Sequence, residues 1–445
     1  MFESQFQSAE VSDLLSQPRQ VARMLAFEAA LAEAQAELRL IPESSARVIV
    51  AVCADAALHA AIDLSDTRRA GNPAIPFVTQ LTGHVRERDA NAAGWVHFGS
   101  TSQDVIDTGT MLALRDVLSV ILRDLRQLQS LLTTIANVHA RSAMPARTLL
   151  QQAMATTFGY KAAAWLSGID RIAARLQRVM SDELALQLGG PVGTLATGGE
   201  QSEELITAVA EKLGLARPEI CWHTSRERVA SVGSALAMLA GQLGKIARDV
   251  VLLMQTEVGE VSEQPAPGKG SSSDMPHKHN PVDSLVPIAV ANLAPQLAAS
   301  LLASMVQEHE RAAGSWHAEW LALPQLCNAV HSSLQSTLVL IETMQIDSSR
   351  MTANLEATLG LLHAGALVNQ LSVTLGREPA NELVGQWCAS AAAEQRQLRE
   401  IATRELEKAG ALTAIQLDTV FGNDREIDAA EARVRYFLRA RSQVT

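Results

Sequence analysis

Apolar residues recur along this chain at helical spacing over unusually long stretches. Leu114, Leu118, Ile121, Leu125, Leu128, Leu132 and Ile135 are separated alternately by four and three residues. That a/d seam covers three heptads and predicts a long helix packed in a bundle. A second seam runs through Val232, Leu236, Leu239, Leu243, Ile246, Val250 and Leu253. Further long helices are expected from Tyr160 to Met180 and from Val286 to about Gln307, the latter kinked at Pro295. Arg23 to Leu38 is rich in Ala, Leu and Glu and reads as another helix, closed by Pro42. Beyond about residue 350 the seams shorten. The pattern predicts an all-α chain with an N-terminal helical domain (1–105), a central long-helix bundle (106–350) and a C-terminal helical domain (351–445). The segment Ala289 to Met305 holds no charged residue. A helix that is apolar all round is buried on all sides, so association with other subunits is expected.

Composition narrows the function classes. Of 445 residues, 47% are hydrophobic and only 4% aromatic, so the core is aliphatic and favours helix over strand. The net charge of −11 makes nucleic acid and anionic membrane poor partners, although a local pocket can still be basic. Cys53, Cys221, Cys327 and Cys388 are far apart and lack metal-finger or redox spacing. Dispersed cysteines of this kind point to reduced thiols and a cytoplasmic location. Met1 to Gln7 shows no basic region followed by an apolar run, so no signal peptide is expected. Apolar runs such as Val250 to Met254 are too short to span a bilayer, so no membrane partner is expected.

Two Gly-rich stretches stand between the expected helices. Gly189 to Gly199 has no phosphate-binding fingerprint, so it implies no nucleotide cofactor. The second reads Gly268-Lys269-Gly270-Ser271-Ser272-Ser273-Asp274-Met275-Pro276-His277-Lys278-His279-Asn280-Pro281. Three hydroxyls, two potential cations and an amide lie there in a glycine-permitted frame. They can hold a carboxylate or exchange a proton, and Lys278 can lower a neighbour's pKa. On composition alone the segment reads equally well as a solvated loop. His277 and His279 flank Lys278, but no further metal ligand is placed nearby, so no metal is expected.

The run Ser272 to Pro281 resembles the signature G-S-S-x-M-P-x-K-x-N-P of the fumarase/aspartase superfamily, with Ser271 in place of the leading Gly. His97-Phe98-Gly99-Ser100-Thr101-Ser102-Gln103-Asp104 is similar to that family's carboxylate-binding region, and Arg147-Thr148 with Thr156 to Gly159 resembles a second region. Within the superfamily the likeness is nearest to the 3-carboxy-cis,cis-muconate cycloisomerases. It lies in Met24 to Ala32, Leu253 to Glu257, Ala266 to Gly270, Gln307 to Arg311 and Trp316 to Trp320. The resemblance implies a cofactor-free homotetramer with a multi-helix core and active sites shared between three subunits. It implies a small polycarboxylate substrate, 3-carboxy-cis,cis-muconate, closed to 4-carboxymuconolactone in protocatechuate breakdown.

The roles implied are these. Ser272 is the residue that exchanges a proton with carbon, and Lys278 is its catalytic companion. Lys278 and Asn280 bind and polarise the carboxylate on which negative charge develops, with Ser273 beside them. His97, Thr101, Ser102 and Arg311 bind substrate, and Gln152 keeps a hydrogen bond to it. Many superfamily lyases read R-T-H-x-x-H in the second region, whereas this chain has Leu149 and Gln152 at the two histidine positions. In lactone opening the leaving group is a carboxylate with a conjugate-acid pKa of roughly 4, so it needs little acid help. An amine leaving group would need more. Trp320 stands where adenylosuccinate lyases carry an Arg for their substrate, which argues against a nucleotide. Trp316 to Trp320 reads equally as core aromatics or as pocket wall. Two competing readings are another lyase of the superfamily and a catalytically silent homologue. Retention of Ser272, Lys278 and Asn280 weighs against the second.

Overall fold

The computed structural model describes residues 2–409 and 414–443. Its principal elements, in chain order, are α1 (Gln17–Glu37), α2 (Ser102–Val138), strands β1 (Ala143–Thr148) and β2 (Gln151–Thr157), and α3 (Phe158–Asp182). They continue with α4 (Glu227–Leu253), β3 (Val261–Ser262), α5 (Val282–Ala303), α6 (Ser315–Thr343) and β4 (Gln345–Ile346). The main helices of the C-terminal part are α7 (Ala364–Leu375), α8 (Arg377–Glu394), α9 (Leu398–Ala409), α10 (Ala414–Phe421) and α11 (Asp424–Ser442). The fold is all-α, as the periodicity predicts.

Both seams form as expected. Leu114 to Leu132 on α2 and Val232 to Leu253 on α4 are buried at every seam position. Only the last member of the first seam, Ile135, is half-exposed. Pro18 falls in the first turn of α1, where a missing N–H breaks no helical bond. α4 and α5 pack backbone to backbone. A Cβ at Gly244 would lie 2.3 Å from the Ala291 Cβ, so only glycine permits that approach.

The chain forms two compact units. The first holds the residues up to Arg126, Arg171–Lys245 and Leu285–Thr337. The second holds Gln127–Asp170, Ile246–Ser284 and the chain from Leu338 onward. The second unit has its own small core, in which Leu367, Leu371, Val384, Trp387, Leu398, Ile401, Leu417 and Val420 pack together.

Two features depart from expectation. The first is a β-hairpin in the second unit. β1 and β2 pair antiparallel from Ala143↔Thr157 to Thr148↔Gln151, with an irregularity between Ala146 and Arg147. The second corrects the argument from apolar run length. Glu227–Leu253 and Val282–Ala303 are long and apolar enough to cross a membrane, with mean hydropathies of 1.3 and 1.7. Counting uninterrupted runs misses this, because isolated Gly, Ser, Asn and Gln break the runs while the surrounding Ala, Val and Leu keep the mean high. α4 buries 61% of that window inside the chain and α5 only 28%. Leu285, Leu293 and Leu302 of α5 are therefore left exposed.

Candidate active site

In the first unit the candidate residues gather at the start of α2 and in the turn before it. Glu28, buried in α1, takes His97 by two atoms. Its Oε2 accepts the backbone N–H at 3.1 Å and its Oε1 lies 2.5 Å from Nδ1. His97 is held at φ +58°, a left-handed conformation that a residue with a side chain adopts only when its surroundings hold it there. Burial opposes a charge on the ring, but Glu28 and then Asp104 outweigh it, and the His97 pKa is raised. Phe98 is tied down as well, its carbonyl accepting from Gln35 Nε2 at 2.7 Å.

Asp104 is the hub of this region. Its Oδ2 accepts the backbone N–H groups of Thr101 and Gly190, at 3.0 and 2.9 Å, and the Ser100 hydroxyl at 3.3 Å. Its Oδ1 accepts the Gly189 N–H at 3.0 Å and His223 Nε2 at 2.7 Å. The His223 ring is buried, which disfavours its charge, yet Asp104 and then the Cys221 sulfur raise its pKa to about 9. Thr101 and Ser102, both half-buried, are thereby fixed at the N-terminus of a 37-residue helix. That is the positive end of the helix dipole, where an anion is favoured. Arg311 joins them through its Nε, 3.2 Å from Gln103 Oε1, while its side chain stays exposed. Gln103 itself is buried and donates to the His223 carbonyl at 2.8 Å.

Behind this region lies a buried ion network. Arg226 bonds both oxygens of Asp107, at 2.7 and 3.1 Å, and both of Glu319, at 2.9 and 2.6 Å. Trp316 Nε1 donates to Asp107 at 2.9 Å. Trp316 and Glu319 are therefore interior scaffolding. Trp320 lines a cavity of about 270 Å³ with Gln20, Thr110, Leu323 and Pro324. The two alternatives for this segment thus divide within it.

In the second unit the signature forms a looped platform. The half-buried Ser272 hydroxyl accepts the backbone N–H groups of Asp274, at 3.3 Å, and Met275, at 3.0 Å. Asn280 closes the loop with its N–H and its side-chain amide, both on the Gly270 carbonyl, at 2.8 and 3.1 Å. Gly270 has φ +67°, and a Cβ there would lie 2.6 Å from the Asn280 carbonyl oxygen. Ser273 and Lys278 are exposed on the same loop. At its base Glu263 accepts from the Asp283 N–H (2.9 Å), the Ser284 N–H (3.0 Å) and the Ser284 hydroxyl (2.8 Å). Lys269 Nζ lies 2.5 Å from Asp283 Oδ2.

Gln152 lies on β2 of the hairpin. Its Oε1 is buried and has no partner among the described residues. Gln152 pairs in register with Arg147, whose guanidinium is spent on buried Glu260 at 2.9 and 2.7 Å. Leu149 and Leu150 form the two-residue turn, both with positive φ (+49° and +65°), and are 97% and 73% exposed. The structure thus brings His97, Thr101, Ser102 and Arg311 together in one unit. It places Ser272, Ser273, Lys278 and Asn280 on one loop of the other. Among the described residues no hydrogen bond joins Gln152 to that loop.

Sequence reasoning gave no role to Glu28, Asp104 or His223. Glu28 carried a usable signal, being a lone acid in an apolar helical run, which is costly unless paired. His223 carried none, because its partner lies 119 positions away.

Residues 2–292 match the family described as Lyase. The chain is 42% identical to a 3-carboxy-cis,cis-muconate cycloisomerase of Pseudomonas aeruginosa, over 98% of this chain and 95% of that protein. It is 43% identical to one from Bradyrhizobium diazoefficiens, over 89% and 88%. The crystal structure of the 3-carboxy-cis,cis-muconate lactonizing enzyme from Pseudomonas putida superposes with a TM-score of 0.91 at 40% identity, covering 100% of this chain and 99% of that one. A signature loop, a bundle of long helices and relatives matched nearly end to end lead to one conclusion: this chain belongs to the lyase family of the fumarase/aspartase superfamily.

Proposed function

We propose that the chain is a cycloisomerase that closes 3-carboxy-cis,cis-muconate to 4-carboxymuconolactone in protocatechuate breakdown, without a cofactor. The observation that carries the mechanism is the Ser272 hydroxyl, which receives two backbone N–H groups. Donors fixed on that oxygen stabilise its anionic form and suit it to exchange a proton with carbon. In the lactonising direction one substrate carboxylate forms a C–O bond to the β-carbon of a double bond. The displaced electron pair moves to the α-carbon and spreads into its carboxylate. Ser272 then delivers its proton to that carbon and regains one from water, so each turnover consumes one proton.

Lys278 and Asn280, on the same loop, stabilise the charge as it develops. Thr101 and Ser102 at the α2 N-terminus, with His97 and Arg311, hold the remaining carboxylates. Ser273 and Gln152 supply hydrogen bonds to substrate. The hairpin carries Leu149 and Gln152 where amine-releasing relatives would need a proton donor, which favours the carboxylate as the attacking and leaving group. Each site draws on three subunits of a homotetramer in the cytoplasm. The exposed apolar face of α5 and four free thiols support that reading.

The test is the ultraviolet absorbance of 3-carboxy-cis,cis-muconate mixed with purified protein and a chelator. Rapid loss of the conjugated-diene band is expected. Ser272→Ala should abolish it while leaving the assembly intact on size exclusion. An unchanged band with well-folded wild-type protein would overturn the assignment and favour another β-eliminating lyase.

A further inference from the structure

We propose that Glu28 is a positioning residue for this reaction. By gripping the backbone N–H and Nδ1 of His97 together, it presents Nε2 as a fixed cationic anchor for a substrate carboxylate. The proposal rests on the reading of His97 as a substrate-binding residue.

Glu28 is 1% exposed in the middle of α1, where an unmatched carboxylate would be costly. Both of its oxygens are committed to a single residue, one to the main chain and one to the ring. The main-chain bond helps hold the left-handed backbone that turns the His97 side chain back onto α1. The ring bond occupies Nδ1, and among the described residues Nε2 makes no hydrogen bond. A neutral ring carrying its proton on Nδ1 would point a lone pair at an incoming anion. A ring protonated at both nitrogens points an N–H at it.

The charged groups acting on the ring are Glu28 from α1 and Asp104 from α2. Asp104 is already matched by His223 and three backbone N–H groups, so Glu28 is the nearer determinant. The loop at Gly189 and Gly190, which also packs here, contributes backbone N–H groups and no charge. Glu28 therefore sets both where the anchor points and how far above the ordinary histidine range it stays charged.

The experiment uses the full chain as wild type, Glu28→Gln, His97→Gln and the double variant. Two quantities are read against pH. One is kcat and KM for 3-carboxy-cis,cis-muconate. The other is the rate at which diethyl pyrocarbonate modifies His97, followed by peptide mass; the reagent attacks only the neutral ring. In Glu28→Gln the midpoint of modification and the alkaline limit of kcat/KM should both move down by about 1–3 pH units, the usual effect of losing an adjacent opposite charge. KM should rise about tenfold at neutral pH, with kcat within a few-fold, as expected when about 1.4 kcal/mol of ground-state binding is lost. Glu28→Gln should add nothing to His97→Gln.

Unmoved profiles, additive losses in the double variant, or a fall in kcat alone would overturn the proposal and leave Glu28 as a staple of the fold. Should Glu28→Gln fail to fold, the wild-type modification profile decides. A midpoint at or below the ordinary 6.5 of histidine overturns it, and a midpoint above supports it. The modification profile needs no substrate. A wrong substrate assignment would therefore show as absent turnover with the Glu28 effect intact.

Discussion

At the scale of single residues, the first unit is organised by carboxylates that each satisfy several donors at once. Asp104 collects five, and the buried His223 imidazole is one of them. That pair has a consequence for stability against pH. The His223 pKa is raised from its ordinary 6.5 to about 9 on folding. A raised pKa means that the folded state holds the proton more tightly than the unfolded one. The contribution is fully present below pH 6.5 and is lost as the pH rises through 9. Linkage puts the difference at roughly 3 kcal/mol across that window. Denaturant midpoints measured from neutral to alkaline pH should fall for the wild type. They should be flatter for His223→Gln, which is less stable at neutral pH. Parallel curves would show that the pair is not coupled to folding. None of this is legible in the sequence. Asp104 stands in a segment that can be recognised, but its partner is a lone histidine on a distant loop. Likewise Ser272 can be picked out from the signature, whereas the two N–H groups that converge on its oxygen follow only from the folded turn.

At the scale of elements, legibility follows periodicity. α2 and α4 repeat an apolar residue every three or four positions for six or more turns, and tertiary packing only has to agree with that pattern. The β1–β2 hairpin offers no such signal. Its strands contain Pro145 and few β-branched residues, and its turn is Leu149-Leu150, without the Asn or Gly that left-handed angles favour. Two leucines at positive φ store strain of about 1 kcal/mol or more each. Leu149→Asn with Leu150→Gly should therefore raise the unfolding midpoint by an amount corresponding to about 1–2 kcal/mol. If the same pair of changes also raises KM, the exposed leucines serve the site rather than the hairpin. An unchanged midpoint would mean that the turn carries no strain.

At the scale of the whole molecule, α5 leaves most of its apolar surface uncovered by the described residues. It is uncharged along most of its length, and Leu285, Leu293 and Leu302 face outward. Exposed apolar surface of this kind marks an association face. Leu293→Glu should disrupt the assembly, shifting sedimentation to smaller species. It should reduce turnover in proportion, because the proposed site draws residues from more than one subunit. A variant that sediments as the wild type does would take Leu293 out of the interface. The absence of charge along this helix can be read in the sequence, but the identity of what covers it cannot, because one stripe of leucines suits many partners.

The base of the signature loop carries a last implication. Glu263 on one side and Asp283 with Ser284 on the other are tied by three hydrogen bonds, reinforced by the Lys269–Asp283 ion pair. The segment between them is thus a closed ring rather than a slack tether. Its two ends are held at one point, so the loop between them closes on itself. Its chain entropy is surrendered once, when the protein folds, and not again at each catalytic cycle. Inside the ring Asn280 is bonded twice to the Gly270 carbonyl, so the chain on either side of Ser272 and Lys278 is drawn together when the protein folds, before any substrate arrives.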